Sequence, residues 1–249
     1  FRMVGSADSI AGPNIILNTI VAEAFAEACD ILEKAEDFDV AVHDLIKEYA
    51  TKYQRIIFNG NGYSEEWVAE AKRRGLPNIR SMVEAIPAIT TDKAVNLFER
   101  FGVYTKAELE SRAEVMYEAY SKAINIEARA MIDIASKQII PAVIKYTTVL
   151  ADSIQKVKTV SEDADTTTQE EMLLETSDLL RDSRTALARL EEVTAAALEV
   201  EVGETQALYY LKTVKTAMDA LRAPVDKLEM IVDKDMWPMP SYGDLIFEV

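Results

Sequence analysis

The chain has 249 residues, 49% of them hydrophobic, enough to bury a sizeable core and to exclude a disordered polypeptide. Its formal net charge of -16 excludes a nucleic-acid wrapper or a binder of anionic membrane, both of which need a positive face to meet phosphate. Eight glycines, seven prolines and no sustained two-residue alternation of β-branched side chains predict an almost wholly helical fold.

Residues 1–14 read as a short extended entry and a loop, rich in turn formers from Gly5 to Gly12, with Pro13 suited to a first helical turn. A helix follows, its stripe made by Ile16, Ile20, Ala24, Phe25, Ala28 and Leu32. A second helix over 40–57 places Val42, Leu45, Ile46, Tyr49 and Tyr53 inward, with His43 beside them. The run Asn59-Gly60-Asn61-Gly62 is a sharp corner, because Asn and Gly tolerate positive φ. Ser64 then caps a short helix carrying Trp67, Val68 and Ala71, which ends on Arg73, Arg74 and Gly75. A loop or short helix surrounds Met82, Val83 and Ile86. Thr91 caps a further short helix that Gly102 closes.

Long arms come next. Thr105 and Glu108 form a capping-box pair, and from Ala113 the residues Met116, Tyr117, Tyr120, Ile124, Ala128, Met131, Ala135, Ile139, Ala142, Tyr146 and Val149 recur at steps of three and four. Unbroken to Asp152, such a helix is roughly 70 Å long at about 1.5 Å per residue, bent at Pro141. Beyond a polar break at Ser161–Thr168, a second arm places Met172, Thr176, Leu179, Ala186, Leu190, Val193 and Ala197 inward. Twelve Asp or Glu stand against three Arg between Ser161 and Val202. Gly203 breaks that arm. Ala207, Leu211, Val214, Met218 and Leu221 form the next stripe, which Pro224 ends or restarts. A short helix reaches Asp235, and residues 244–249 suit an extended strand. The change from a mixed, aromatic-containing part to long acidic arms falls between Ile124 and Ala135.

Little catalytic chemistry is visible. The single His43 has no Glu three residues before it, which fails the carboxylate-bridged metal pattern of helical bundles. His43 alone on an amphipathic helix reads as structural, and Cys29, the one cysteine, cannot form an internal disulfide and fits a reducing compartment. Glu171, Glu175, Asp178 and Asp182 share a face, yet Arg181, Arg184 and Arg189 lie among them and describe a solvated, ion-paired surface. Arg73, Arg74 and Arg80 decorate a helix C-terminus in the ordinary way. No glycine-rich phosphate loop or nucleophile elbow is present. No apolar run approaches about 18 residues and no charged-then-apolar leader opens the chain, so neither a span nor a signal peptide is expected. Arg2 differs from the other cations: it precedes a Gly/Ser/Asp loop and a proline-started helix, a setting that suits a guanidinium fork aimed at carboxylate or phosphate.

The opening Phe1-Arg2-Met3-Val4-Gly5-Ser6-Ala7-Asp8-Ser9-Ile10-Ala11-Gly12-Pro13-Asn14 resembles the late catalytic-domain segment of type III glutamine synthetases, the long bacterial form. The segments 55–64, 101–109 and 125–128, and the ending Trp237-Pro238 with 242–249, are similar to that family too. The resemblance implies a cytoplasmic enzyme joining ammonia to glutamate through a γ-glutamyl phosphate, with ATP and Mg²⁺ or Mn²⁺, in a large ring-built homo-oligomer. This chain corresponds to its C-terminal part, and its partners are the rest of the catalytic polypeptide and the substrates, not nucleic acid or membrane. Arg2 matches an arginine that contacts substrate two residues after a metal-binding glutamate, so substrate binding is assigned to Arg2 and neither a catalytic residue nor a metal ligand to the remainder. The chain, opening without Met, is then a piece of a longer polypeptide and inactive alone. The implied domains are 1–125, the helical end of the catalytic domain; 126–236, an inserted long-helix bundle that supports assembly or stiffens the core; and 237–249, an extended docking tail. The competing expectation is a free-standing acidic helical scaffold without catalysis.

Overall fold

The computed structural model describes residues 9–247, and among them every regular element is helical. The Arg2 expectation and the extended entry at 1–8 lie outside the described residues. The chain divides into two compact units, up to Ala113 and from Glu114 onward, the division falling within one continuous helix.

The first unit contains α1 (Ala11–Leu32), α2 (Phe38–Lys52), α3 (Glu65–Arg73), α4 (Met82–Ala85), α5 (Asp92–Arg100) and the start of α6 (Lys106–Ile134). Their starts follow from local chemistry. The side chains of Asp37, Ser64, Ser81 and Thr91 each accept a hydrogen bond from a backbone N–H three residues on, satisfying one donor that the first helical turn leaves free. Thr105 and Glu108 make the expected reciprocal box: the Glu108 carboxylate accepts from the Thr105 N–H at 2.8 Å, and Thr105 Oγ1 accepts from the Glu108 N–H at 3.3 Å. Gly75 and Gly102 end α3 and α5 at φ 70° and 63°, the left-handed conformation that glycine adopts without a Cβ clash. Val95, Phe98 and Leu109 are the buried centre, with Ile15 of α1 packed on them.

On α2, Leu45 is buried but Ile46 is 63% exposed and Tyr53 is exposed, so the inward stripe is narrower than expected. The helix stops at Lys52, and residues 54–56 form a single 3₁₀ turn. Ile46 follows Leu45 by one residue, a rotation of about 100°, and only one of the two faces the unit's interior.

The second unit is a bundle of the rest of α6 with α7 (Ile140–Val160), α8 (Thr167–Ala196), α9 (Glu204–Tyr209) and α10 (Lys215–Glu229), followed by α11 (Tyr242–Phe247). α8 packs against both α7 and α10. Its buried Leu187, Leu190 and Val193 meet Val143, Tyr146 and Leu150 of α7 and Leu221, Val225 and Leu228 of α10 in one core, and Thr176 and Ser183 of α8 are buried too. Ala128, Tyr120, Ile124 and Met131 of α6 join it.

Pro141 does not simply bend the first arm. A π-helical turn, Ala135–Ile139, separates α6 from α7 immediately before it. The wider turn makes room where the proline ring would press on the carbonyl of Lys137, four residues back. The core stripe holds through Tyr146, after which Leu150 is buried and Val149 is 47% exposed, against expectation. A second π-helical turn, Tyr210–Val214, joins α9 to α10.

Pro224 neither ends nor restarts its helix; it sits inside α10, flanked by buried Leu221, Val225 and Leu228, whose packing carries the helix through the lost hydrogen bond. Gly203 does break the second arm, at φ 113° and ψ -143°, before α9. The expected extended ending is instead helical at α11. The cause is a local box: Asp244 accepts from the Ser241 N–H and Oγ, both at 2.7 Å, and Ser241 Oγ accepts from the Asp244 N–H at 3.3 Å.

Candidate functional site

The candidate residues scatter over the surface. His43 is exposed on α2, its Nδ1 lying 3.3 Å from Asp44 of the same turn, and Cys29 is exposed on α1. The carboxylates Glu171, Glu175, Asp178 and Asp182 all face solvent on α8. Arg181 bonds both Asp178, at 2.6 Å, and Asp182, at 3.0 Å, while Arg184 and Arg189 pair instead with Glu191 and Glu192, so half of the row is ion-paired and all of it is solvated. Among the described residues, no group of three or more His, Cys, Asp or Glu is placed to hold a metal ion.

One built cluster stands in the first unit. Phe58 stacks on Trp67 with ring centroids 3.8 Å apart and planes 17° from parallel. Arg74 crosses the Trp67 ring at 5.4 Å and donates from Nη1 to the carbonyl of Ile57 at 2.9 Å and that of Arg55 at 3.3 Å. Glu70 completes it, accepting from Arg73 at 2.7 Å and from Arg74 at 2.6 Å. Those two hydrogen bonds, Arg73 first, hold the Glu70 carboxyl well below its ordinary 4.5, at about 2. The cluster pins the chain on one side of the 59–62 corner to α3. Arg74 therefore acts as a structural clamp, and the single Glu70 carboxylate, shared with Arg73, offsets one of the two positive charges. Sequence reasoning missed the role of Arg74, of which only the carboxylate four residues before it, Glu70, is local in the sequence.

The second unit carries an apolar cleft of about 550 Å³. Met131, Ile139, Leu221, Val225 and Trp237 supply its walls, and Arg222 and Asp226 form a two-bond pair on its lining at 2.8 and 3.1 Å. Trp237 Nε1 is buried without a hydrogen-bond acceptor among the described residues. Besides the apolar surface and this ion pair, the lining carries the Glu229 carboxylate and the Ser241 hydroxyl, which is bonded to Asp244, and among the described residues it holds no cysteine or histidine.

What the arrangement resembles is a structural portion of a larger enzyme, and residues 41–158 match the glutamine synthetase C-terminal domain. The chain belongs to the glutamine synthetase family. Within it, the chain is 33% identical over 99% of its length to the type-3 glutamine synthetase of Dictyostelium discoideum. It is 34% identical over 84% of its length to a glutamine synthetase of Butyrivibrio fibrisolvens, and 30% identical over 99% to one of Bacteroides fragilis. The chain spans about a third of the length of these relatives, which covers 35%, 30% and 35% of them respectively. The free-standing scaffold is not favoured by these matches. ATP and a divalent metal are cofactors of glutamine synthetases in general, but residues 9–247 present neither a carboxylate cage nor a phosphate-cradling loop, so no catalytic step is derived through either group here. Among the described residues, no helix is long and apolar enough to cross a membrane.

Proposed function

We propose that this chain is the C-terminal region of a glutamate–ammonia ligase, in which the complete polypeptide forms glutamine from glutamate, ammonia and ATP through a γ-glutamyl phosphate. The observation that carries the reading is similarity to glutamine synthetases along 99% of the chain. Arg2 is the residue assigned to substrate, its guanidinium fork pairing with a carboxylate or phosphate oxygen. The ligands for ATP and Mg²⁺ or Mn²⁺ come from the part of the polypeptide outside this chain, which makes the piece inactive by itself. Residues 1–125 form the helical end of the catalytic domain, and 126–236 form a helical module that supports a ring-built homo-oligomer or stiffens the core. The enzyme works in the cytoplasm.

The test is glutamine formation by the full-length polypeptide given glutamate, ammonium, ATP and Mg²⁺, followed by chromatography of the amino acids. Activity is expected from the whole and none from residues 1–249. Arg2→Ala in the full-length enzyme is expected to lower kcat/KM for glutamate about 10- to 100-fold, the scale of one lost charge-assisted contact. A full-length polypeptide that makes no glutamine overturns the ligase reading; an Arg2→Ala enzyme with unchanged kcat/KM removes Arg2 from the site.

A further inference from the structure

Three elements supply the lining of the cleft in the second unit. Ala135 and Ile139 come from the first π-helical turn, and Leu221 and Val225 from α10. The third element is the tail, which is pinned on both sides of the cleft residues it contributes: the Trp237 N–H donates to the Asp233 carbonyl at 2.9 Å, and Ser241 is fixed by its box with Asp244, which Lys234 also pairs at 3.2 Å. A volume of about 550 Å³ suits a small molecule and is too small for a folded partner.

The acids on this lining run against the polarity of their own helix. Asp226 and Glu229 stand in the last turn of α10, where the backbone carbonyls already make the end negative and a cation is preferred. Asp226 is compensated, because Arg222 bonds it at 2.8 and 3.1 Å. Glu229 is not: among the described residues no lysine, arginine or histidine pairs with it, and Lys227, the one base of that turn, does not line the cleft. An uncompensated carboxylate at the negative end of a helix costs stability, and such departures from local preference concentrate at functional positions.

We infer that this cleft binds an organic cation, a small molecule with an apolar body and one alkylated ammonium group. The body lies against Met131, Ile139 and Val225, and the charge is held by the Glu229 carboxylate and the Trp237 ring. Three features select that chemistry. The apolar walls exclude a strongly hydrated inorganic ion, which would lose its water without gaining partners. The free carboxylate and the α10 C-terminus exclude an anion, and the net charge of -16 draws cations toward the protein. The aromatic face attracts an ammonium group through its quadrupole, the usual means of recognising quaternary ammonium ligands. The site belongs to the helical module and stands whether or not the complete polypeptide forms glutamine.

Isothermal titration calorimetry of the full-length polypeptide with benzyltrimethylammonium chloride, at constant ionic strength, tests this. Saturable binding of one cation per polypeptide is expected. Glu229→Gln is expected to raise Kd at least about 10-fold, the scale of one lost charge-assisted contact. Glu171→Gln removes the same charge from the solvated face of α8 and is expected to leave Kd within about 2-fold, since salt screens a distant exposed carboxylate. Trp237→Leu is expected to weaken binding about 5-fold and Trp237→Phe less, because a phenyl ring keeps a π face. Glu229 is exposed, so its glutamine variant keeps the test valid if a Trp237 variant misfolds. Absence of saturable binding overturns the inference, including the case in which another part of the polypeptide fills the cleft. So does equal weakening by Glu229→Gln and Glu171→Gln, which shows diffuse attraction to an acidic protein. A Kd that neither Glu229→Gln nor Trp237→Leu changes places the cation elsewhere and overturns it too, and benzenesulfonate binding as tightly as the cation overturns the choice of charge.

Discussion

Leu190 and Leu174 lie sixteen residues apart on α8 and differ in little but burial, 0% against 68% exposure. Truncating Leu190 to alanine removes a side chain from the centre of the α7–α8–α10 core and leaves a cavity that neighbouring helices only partly fill. Such changes cost about 3 kcal/mol or more, from the lost transfer energy and the cavity together. For a unit of roughly 135 residues, an unfolding entropy of about 2.1 cal/mol/K per residue converts 3 kcal/mol into a Tm lower by about 10 °C. Leu174→Ala removes the same atoms from a side chain already in water and is expected to stay within about 0.5 kcal/mol. Urea and thermal unfolding followed by Trp237 emission in a Trp67→Phe background report this unit, because Trp237 packs on its core. Equal losses at the two sites would show that burial does not govern α8, and a Leu190→Ala loss below about 1 kcal/mol would refute the packing described for the core.

Three further outcomes follow from local features. Thr105→Ala removes the hydroxyl that accepts from the Glu108 N–H and is expected to cost about 1 kcal/mol, read as a shift of the urea midpoint. Gly203→Ala forces a Cβ onto a backbone at φ 113° and is expected to cost about 1 to 3 kcal/mol, although nothing lies within 4 Å of the new atom. The third concerns acid. Because the folded Glu70 carboxyl is depressed from 4.5 to about 2, its contribution is complete above the unfolded value and is lost as pH falls from about 4.5 toward 2. Trp67 emission in a Trp237→Phe background should therefore change across that interval, and Glu70→Gln should abolish the change.

The helical starts were legible because each depends on residues three apart: Ser64, Thr91 and Thr105 predict α3, α5 and α6 from their own side chains. The core stripes of α6 and α8 were legible for the same reason, since Tyr117, Ala128, Leu190 and Val193 follow helical spacing wherever the helix is regular. Failures cluster where distant packing overrides local rule. Pro224 should interrupt a helix, yet Leu221, Val225 and Leu228 hold it in the core. Val149 gives way to Leu150 as the last inward residue of α7, a choice made by neighbouring helices. The tail was misread for the opposite reason: Ser241 and Asp244 form a short box whose signal was overlooked beside Leu245, Ile246 and Phe247. Of the site, sequence patterns excluded metal and nucleophile motifs but left the Arg74 clamp unseen, because it depends on carbonyls at 55 and 57 that only folding brings near.

The π-helical turns at Ala135–Ile139 and Tyr210–Val214 have a consequence for how such arms change length. Each turn holds one residue more than an α-helical turn closing on the same neighbours. Elsewhere in α6, α7 or α10, deleting one residue rotates everything beyond it by about 100° and carries the buried stripe off the core. Within a π-helical turn the surplus residue can leave, the turn can close to α-helical spacing, and Val143, Tyr146 and Leu150, or Ala217 and Leu221, keep their inward phase. The two turns are thus the places where these arms carry slack. Single-residue length differences among related chains are expected there, and not along the uninterrupted core of α8.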